Sequence, residues 1–330
     1  METTDTDTEN CGGDSAAMLA EGQRLMAKSA TAERGTRLIL EAAHAGNGEA
    51  AHLISLIVAA DHTVAERWTY ALAYLGRAAK AGHLRSRKVL AFLAGEDAMV
   101  EDLVGGAKFD DQTCHRLHDR INLDAWLNAP SKMVVSTAPY IALAKGLIDT
   151  RTCNWIIEQA RPRLQRALVY DAKDGSGVAL QLRTNSEMRF EFVELDLVLM
   201  FAIERIATFS GFFFKGWEPS SVLHYSVGQE FCPHHDYLDP NVPCYAAEIA
   251  KTGQRLATIL IYLSEDFEGG ETEFPILRYR FKGKTGDALL FHNVTETGAP
   301  DPRTLHAGLA PTRGEKWLFS QWIRARARVA

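Results

Sequence analysis

The chain has 330 residues, 46% of them apolar and 24% charged, which is enough to bury one large core or two smaller ones and is ordinary for a soluble globular protein. Its formal net charge of −6 argues against the basic surface that a nucleic-acid partner or an anionic membrane would require. Five scattered cysteines, none spaced as CxxC, fit neither a disulfide framework nor a zinc knuckle, and no apolar run approaches the roughly 20 residues that span a bilayer, so a cytoplasmic location is expected, with no membrane partner.

Residues 1–15 are acidic and polar, with neither apolar periodicity nor the h-region of a secretory signal, and read as a flexible tail. From 16 to 105, Ala, Leu and charged residues recur at helical spacing. Within that stretch EAAHAGNGEAAHLISLI from Glu41 and RAAKAGHLRSRKVLAFL from Arg77 align without gaps at an offset of 36 residues. Ala42, Ala43, Ala45 and Gly46 recur as Ala78, Ala79, Ala81 and Gly82; Leu53, Ile54, Leu56 and Ile57 recur as Val89, Leu90, Phe92 and Leu93. Small residues let two helices approach, the glycine ends the first, and the apolar set buries the second against it. The pattern resembles Sel-type repeats, relatives of the tetratricopeptide repeat, and such repeats bind protein partners; the alternative is a plain Ala-rich bundle. Two copies are few for a free-standing solenoid, so this α-helical repeat module is expected to dock on the domain that follows.

Residues 106–135, with Pro130 and two glycines upstream, read as a linker. The remainder, 136–330, changes character. Asp149 or Thr150 can cap a helix bearing Cys153, Ile156, Ile157, Ala160 and Leu164, and a second helix carries Leu195, Val198, Leu199, Ala202 and Ile206. After Gly216 come short strands, SVLHYSV, LATILIYL, DALLF, TLHAGLA and KWLFSQWI, separated by Gly, Pro, Asp and Asn. The expected class is α+β, a jelly roll or sandwich braced on one face by helices.

The densest chemical signal is CPHHDYLDP. On an extended segment His234 and Asp236 point to the same side, so an imidazole and a carboxylate can take neighbouring positions on a divalent metal. His306 in RTLHAGLAP offers a third ligand, completing the two-His, one-carboxylate face that leaves positions open on non-haem iron. Lys316, ten residues on, returns on the next strand after the turn TRGE. A 2-oxo acid can chelate two open positions, and its far carboxylate then needs a buried cation such as Lys316 with hydroxyl donors beside it. His235 points to the opposite side, His292 in LLFHN reads as a strand-end histidine, His224 as a residue near the site that binds no metal, and Cys232 as a small buried side chain.

These motifs resemble the prolyl 4-hydroxylase-like branch of the 2-oxoglutarate oxygenases over residues 140–326, carried in order by RTN at Arg183 to Asn185, VLHYSVGQEFCPHHDYLDP, RLATILIYLSEDFEGGETEFP, GDALLFHN and TLHAGLAPTRGEKWLFSQWI. The resemblance implies a double-stranded β-helix (jelly roll) with Fe(II) on His234, Asp236 and His306, and 2-oxoglutarate held by Lys316 with Tyr225 and Thr272. It places Arg255 and Trp322 beside the substrate. It implies 2-oxoglutarate and dioxygen as cosubstrates, ascorbate as a reductant, and hydroxylation of an unactivated C–H on a protein or peptide. The alternatives are a free amino acid or other small metabolite as substrate, with Arg255 as a charged anchor, and a non-catalytic adaptor, against which the intact ligand set argues. One departure stands out: the family usually has His two residues after the matching Trp, and here Arg324 stands there, which weakens the case for a prolyl peptide. The terminal run WIRARARVA reads as a solvated face of the last strand.

Overall fold

The structure is a computed structural model that describes residues 7–170, 177–178, 181–212 and 216–326. It divides into two compact units. The first takes Met1–Leu127 and Val193–Phe201; the second takes Asn128–Phe192 and Ala202–Val329.

The first unit is helical: α1 Asp7–Met26, α2 Ala32–His44, α3 Gly48–Ala60, α4 Arg67–Lys80, α5 Leu84–Leu93, α6 Asp97–Val104, α7 Asp111–Arg120 and α8 Leu123–Leu127. Residues 1–6 of the expected tail lie outside the described residues, but from Asp7 the chain is already helix. Helices α2 and α4 end alike. Gly46 (φ 91°) and Gly82 (φ 93°) take the left-handed conformation open to glycine, and the next residues return N–H groups to Ala42 O and Ala78 O, both at 3.0 Å. Asn47 Oδ1 and His83 Nδ1 then accept from the N–H groups of Ala50 and Ser86 and cap α3 and α5. Ala42, Ala43, Ala78 and Ala79 are fully buried. The expected linker is not one: α7 and α8 lie inside it, Cys114 and Leu117 are buried, and Trp126 Nε1 donates to Leu93 O at 3.2 Å. Its polar sequence hid two helices, α7 with a narrow buried face of Cys114 and Leu117 and α8 with no fully buried residue.

The second unit holds α9 Thr150–Ala160, α10 from Leu197 to Ser210 (shared with the first unit), α11 Pro243–Thr252 and the strands. These are β1 Met133–Thr137, β2 Tyr140–Ala144, β3 Gln165–Arg166, β4 Val169–Tyr170, β5 Gly177–Val178, β6 Ser186–Arg189, β7 Ser221–Tyr225, β8 Phe231–His234, β9 Arg255–Tyr262, β10 Phe267–Gly269, β11 Thr272–Phe274, β12 Tyr279–Phe281, β13 Ala288–His292, β14 His306–Gly308, β15 Pro311–Gly314 and β16 Lys316–Arg324. Among the described residues an eight-stranded sheet runs β1-β2-β13-β9-β16-β7-β6-β3 and a four-stranded sheet runs β12-β11-β14-β8, a jelly-roll-like arrangement. Alternate residues of the larger sheet (Leu143, Leu223, Leu260, Leu289, Leu318) form a core with Phe274 and Phe267 from the shorter strands. Burying each such side chain stabilises the fold by roughly 1.5–3 kcal/mol. The intervening residues Ile259, Ile261, Leu290 and Phe319 are buried too. A sheet covered on both faces explains why LATILIYL is continuously apolar rather than alternating. Asp149 caps α9, accepting from Thr152 N at 2.7 Å. No helix is long and apolar enough to cross a membrane among the described residues.

Candidate metal centre

Strand pairing brings the centre together. β14 runs antiparallel to β8 with His306 opposite His234, and Asp236 follows β8 by two residues. The ligand atoms of His234, Asp236 and His306 lie within 4.8 Å of one another, the one such group of three or more among the described residues. His234 Nε2 is 3.6 Å from Asp236 Oδ1, and His306 Nε2 is 3.5 Å from Asp236 Oδ2. Each imidazole uses its other nitrogen on the backbone: Nδ1 of His234 donates to Cys232 O at 2.8 Å, and Nδ1 of His306 donates to Thr304 O at 3.0 Å. A carbonyl can only accept, so each Nε2 is left with its lone pair directed at the gap between the three side chains. That donor set, two neutral imidazoles and one carboxylate, fits iron(II).

Electrostatics favour the same state. Burial pushes His306 down to about 4, reinforced by His234 and opposed by Asp236, so its ring stays neutral. Burial alone would raise the Asp236 carboxyl, but the adjoining imidazoles, whenever one is protonated, and Arg255 outweigh it and hold the group below the usual carboxylate range. Deprotonated ligands are what a divalent metal requires.

Lys316 opens β16 opposite Tyr225 on β7. It is fully buried, and its Nζ sits 4.9 Å from the Tyr225 ring and 5.8 Å from that of Tyr262 with no hydrogen-bond partner. Burial pushes its ammonium down to about 7, against a weaker pull from Glu271. An orphaned buried amine is a costly feature unless an anionic guest completes it, and a carboxylate such as that of 2-oxoglutarate would fit that need. Tyr225 and Thr272 line one cavity with His234, Asp236 and His306. Thr272 Oγ1 lies 3.0 Å from Tyr262 OH. Gly308 faces Tyr225 so closely that a Cβ there would come within 3.1 Å of the hydroxyl.

Arg255 and Trp322 both border a second cavity that opens beside the metal ligands. The guanidinium of Arg255 stacks on the Trp322 ring at 3.7 Å and is held by Glu218 at 2.7 and 3.1 Å. Arg255 thus has a carboxylate partner in Glu218, which it shares with a second guanidinium. Glu218 also binds Arg324 Nε at 2.5 Å, and Arg324 NH1 donates to Gly253 O at 2.9 Å. The solvated reading of the last strand thus fails at Arg324, which is 5% exposed and internally paired. Nothing local marks Glu218 in WEPS; its partners lie far along the chain.

The remaining histidines stand apart from the ligand group. His235 turns outward to Pro302 O (3.1 Å) and stacks on Tyr237. His292 packs between Tyr140 and Phe212. His224 lies on Trp317, with Nε2 3.4 Å from Glu315. Cys232 is half-buried, its thiol directed at Glu230 (3.7 Å) and not at the ligands. Arg183, in the RTN motif, is buried over the Phe231 ring and paired with Glu187 at 3.1 Å.

Comparison with known proteins agrees with this geometry. A sequence profile of the 2OG-Fe(II) oxygenase superfamily matches residues 220–324, which contain all three ligands and Lys316. The chain is similar to prolyl 4-hydroxylase 1 of Arabidopsis thaliana, 37% identical over 208 residues that cover 59% of this chain and 72% of the relative. It is also similar to probable prolyl 4-hydroxylase 8 of the same plant, 32% identical over 221 residues, covering 61% and 72%. Among solved structures it is similar to a viral collagen prolyl hydroxylase from Paramecium bursaria Chlorella virus-1 in complex with 2OG, at 27% identity and a TM-score of 0.45, covering 58% of this chain and 99% of that one. With identity of that order spread over most of the relatives' length, the chain belongs to the prolyl 4-hydroxylase family of 2OG-Fe(II) oxygenases and is a 2-oxoglutarate-dependent dioxygenase that uses Fe(II) and dioxygen.

Proposed function

We propose that the protein hydroxylates prolyl residues of a protein or peptide, with Fe(II) held by His234, Asp236 and His306 and 2-oxoglutarate held by Lys316, Tyr225 and Thr272. The observation that carries this reading is the cleft beside the ligands. Phe231, Pro233, Tyr237, Tyr245 and Trp322 line it, and its two arginines, Arg183 and Arg255, are paired with Glu187 and Glu218. A wall rich in aromatic rings, with its arginines internally paired, suits a pyrrolidine ring flanked by amides better than the ammonium and carboxylate of a free amino acid. Resemblance to prolyl 4-hydroxylase 1 of Arabidopsis thaliana supports the same reading.

In this reading the iron supplies oxygen activation coupled to oxidative decarboxylation of 2-oxoglutarate. The protein's own groups do the rest. The two Nδ1–H contacts fix the imidazole tautomers, Lys316 anchors the far carboxylate, and the stacked Arg255–Trp322 pair excludes water beside the reacting C–H. Ascorbate serves as the reductant for unproductive turnovers. Within the helical unit a pair of Sel-type repeats selects a protein partner in the cytoplasm; the matched helix ends at Gly46 and Gly82 support the repeat.

The test is incubation with Fe(II), ascorbate, 2-oxoglutarate and proline-rich peptides, reading succinate and peptide mass together. The expected result is one added oxygen atom on a proline for each succinate formed. Succinate formation coupled to free amino acids and not to any peptide would overturn the substrate class.

A further inference from the structure

Two side chains outside both cavities join Asp236 in line. Thr258 Oγ1 donates to Asp236 Oδ2 at 2.7 Å, and Asn293 Nδ2 donates to Thr258 Oγ1 at 3.0 Å. Thr258 is 1% exposed and Asn293 0%. The direction of this chain is forced. An ionised carboxylate only accepts, so the single hydroxyl proton of Thr258 points at Asp236 and its lone pair must meet a donor. A flipped Asn293 amide would set two acceptors around one proton, so the amide orientation is fixed as well.

The backbone holds both ends. Thr258 lies in mid-β9, opposite Trp322 of β16 and Phe291 of β13. Asn293 follows β13; its N–H donates to Leu256 O at 2.8 Å, and its carbonyl accepts from Asp301 N at 3.0 Å. Asp301 begins the turn Pro302–Thr304, and its own carbonyl accepts from the Thr304 hydroxyl at 2.7 Å. Thr304 O in turn receives His306 Nδ1. Asn293 is therefore connected to two ligands, to Asp236 through its side chain and to His306 through its carbonyl and the turn.

We propose that Thr258 and Asn293 are positioning residues for the metal, a relay that engages Asp236 Oδ2 so that the carboxylate offers the metal its other oxygen, and that Asn293 also seats the turn that orients His306. The inference rests on the three-ligand reading above. A carboxylate free to rotate would bind through both oxygens and take a coordination position that the cosubstrates need.

The relay is tested by titrating the metal-free full chain with Co(II) and following the visible absorption of the bound ion, with the melting temperature of the metal-free protein as a control. Thr258→Val keeps the shape and removes the hydroxyl, and it should weaken Co(II) binding by about 10–100-fold and alter the absorption band. Thr258→Ser keeps the hydroxyl and should stay within about threefold of the parent, while Asn293→Ala should weaken binding by about 3–10-fold. The relay is refuted if Thr258→Val binds Co(II) like the parent, or if Thr258→Ser is as weak as Thr258→Val. Should Thr258→Val not fold, Asn293→Ala carries the test, and an unchanged affinity there refutes the relay equally. A parent protein that takes up no Co(II), or binds it unaffected by His306→Ala, overturns the metal site itself and the relay with it.

Discussion

The Lys316 ammonium is buried without a partner and pushed down to about 7, and this has a measurable consequence. Below that pH the free protein already carries the charge that a 2-oxoglutarate carboxylate needs. Above it the amine is neutral, and binding must take up a proton, because the bound carboxylate restores the ammonium's stability. The dissociation constant for 2-oxoglutarate should thus be flat below about pH 7 and rise about tenfold per pH unit above it. Calorimetry in buffers of different ionisation enthalpy reads the proton uptake directly; a flat constant from pH 6 to 9 would count against Lys316 as the anchor. Lys316→Ala should raise the constant about 100-fold or more and abolish that pH dependence, since a buried carboxylate is left unpaired. At this scale the sequence was most legible. His234, Asp236, His306 and Lys316 each stand in a short motif whose spacing predicts its neighbour. Glu218, Thr258 and Asn293 find their partners on distant strands; Thr258 and Asn293 stand inside quoted motifs, but nothing in those motifs points from one to the other or to Asp236.

Among the elements, legibility followed burial pattern. β9 and β16 announced themselves because strands covered on both faces need an unbroken apolar run. The β1–β2 hairpin did not, since β1 is an edge strand whose apolar Met133, Val134 and Val135 are exposed. β10, β11 and β12 were hidden for another reason: each is three residues long, and β10 and β11 are set among the glycines and acidic residues of EDFEGGETEFP. The glycines that shape these connections are not equivalent. Gly286 and Gly298 both have positive φ, 86° and 82°, but a Cβ on Gly286 would stand 2.0 Å from Ile148 O, whereas one on Gly298 would meet nothing within 4 Å. Gly286 also donates to Tyr262 O at 2.7 Å and accepts from Ile148 N, tying the turn before β13 to the segment before α9. Gly298→Ala should cost about 1 kcal/mol from left-handed strain alone. Gly286→Ala should cost about 2–4 kcal/mol, because backbone must move as well. Urea midpoints compare the two; equal losses would mean that the close approach at Gly286 carries no energetic weight.

At the scale of the whole molecule, the sequence placed the helical module at 16–105, whereas the helical unit extends to Leu127 and includes Val193–Phe201. Linear reading cannot find a discontinuous unit, because the segment's partners precede it by more than a domain's worth of other elements. Inside that unit Phe201 is fully buried, stacked on Trp68 at 4.2 Å between ring centroids and approached by Trp126 at 5.5 Å. Asp196 is also fully buried, with Arg85 3.4 Å from its carboxylate. A protein starting at Asn128 keeps every metal ligand but strips Phe201 of both tryptophans and Asp196 of Arg85. Losing such aromatic packing costs about 3–5 kcal/mol, and a buried carboxylate losing its cation adds to it, so the loss approaches the stability of an ordinary domain. We expect the 128–330 fragment to be poorly soluble or to bind a hydrophobic dye, and co-expression with residues 1–127 to restore soluble protein that takes up Co(II). A fragment that melts at the temperature of the full chain and binds Co(II) as well would show the iron site to be independent of the helical unit. The opposite result would mean that Val193–Phe201 makes the helices a structural requirement of the oxygenase chain.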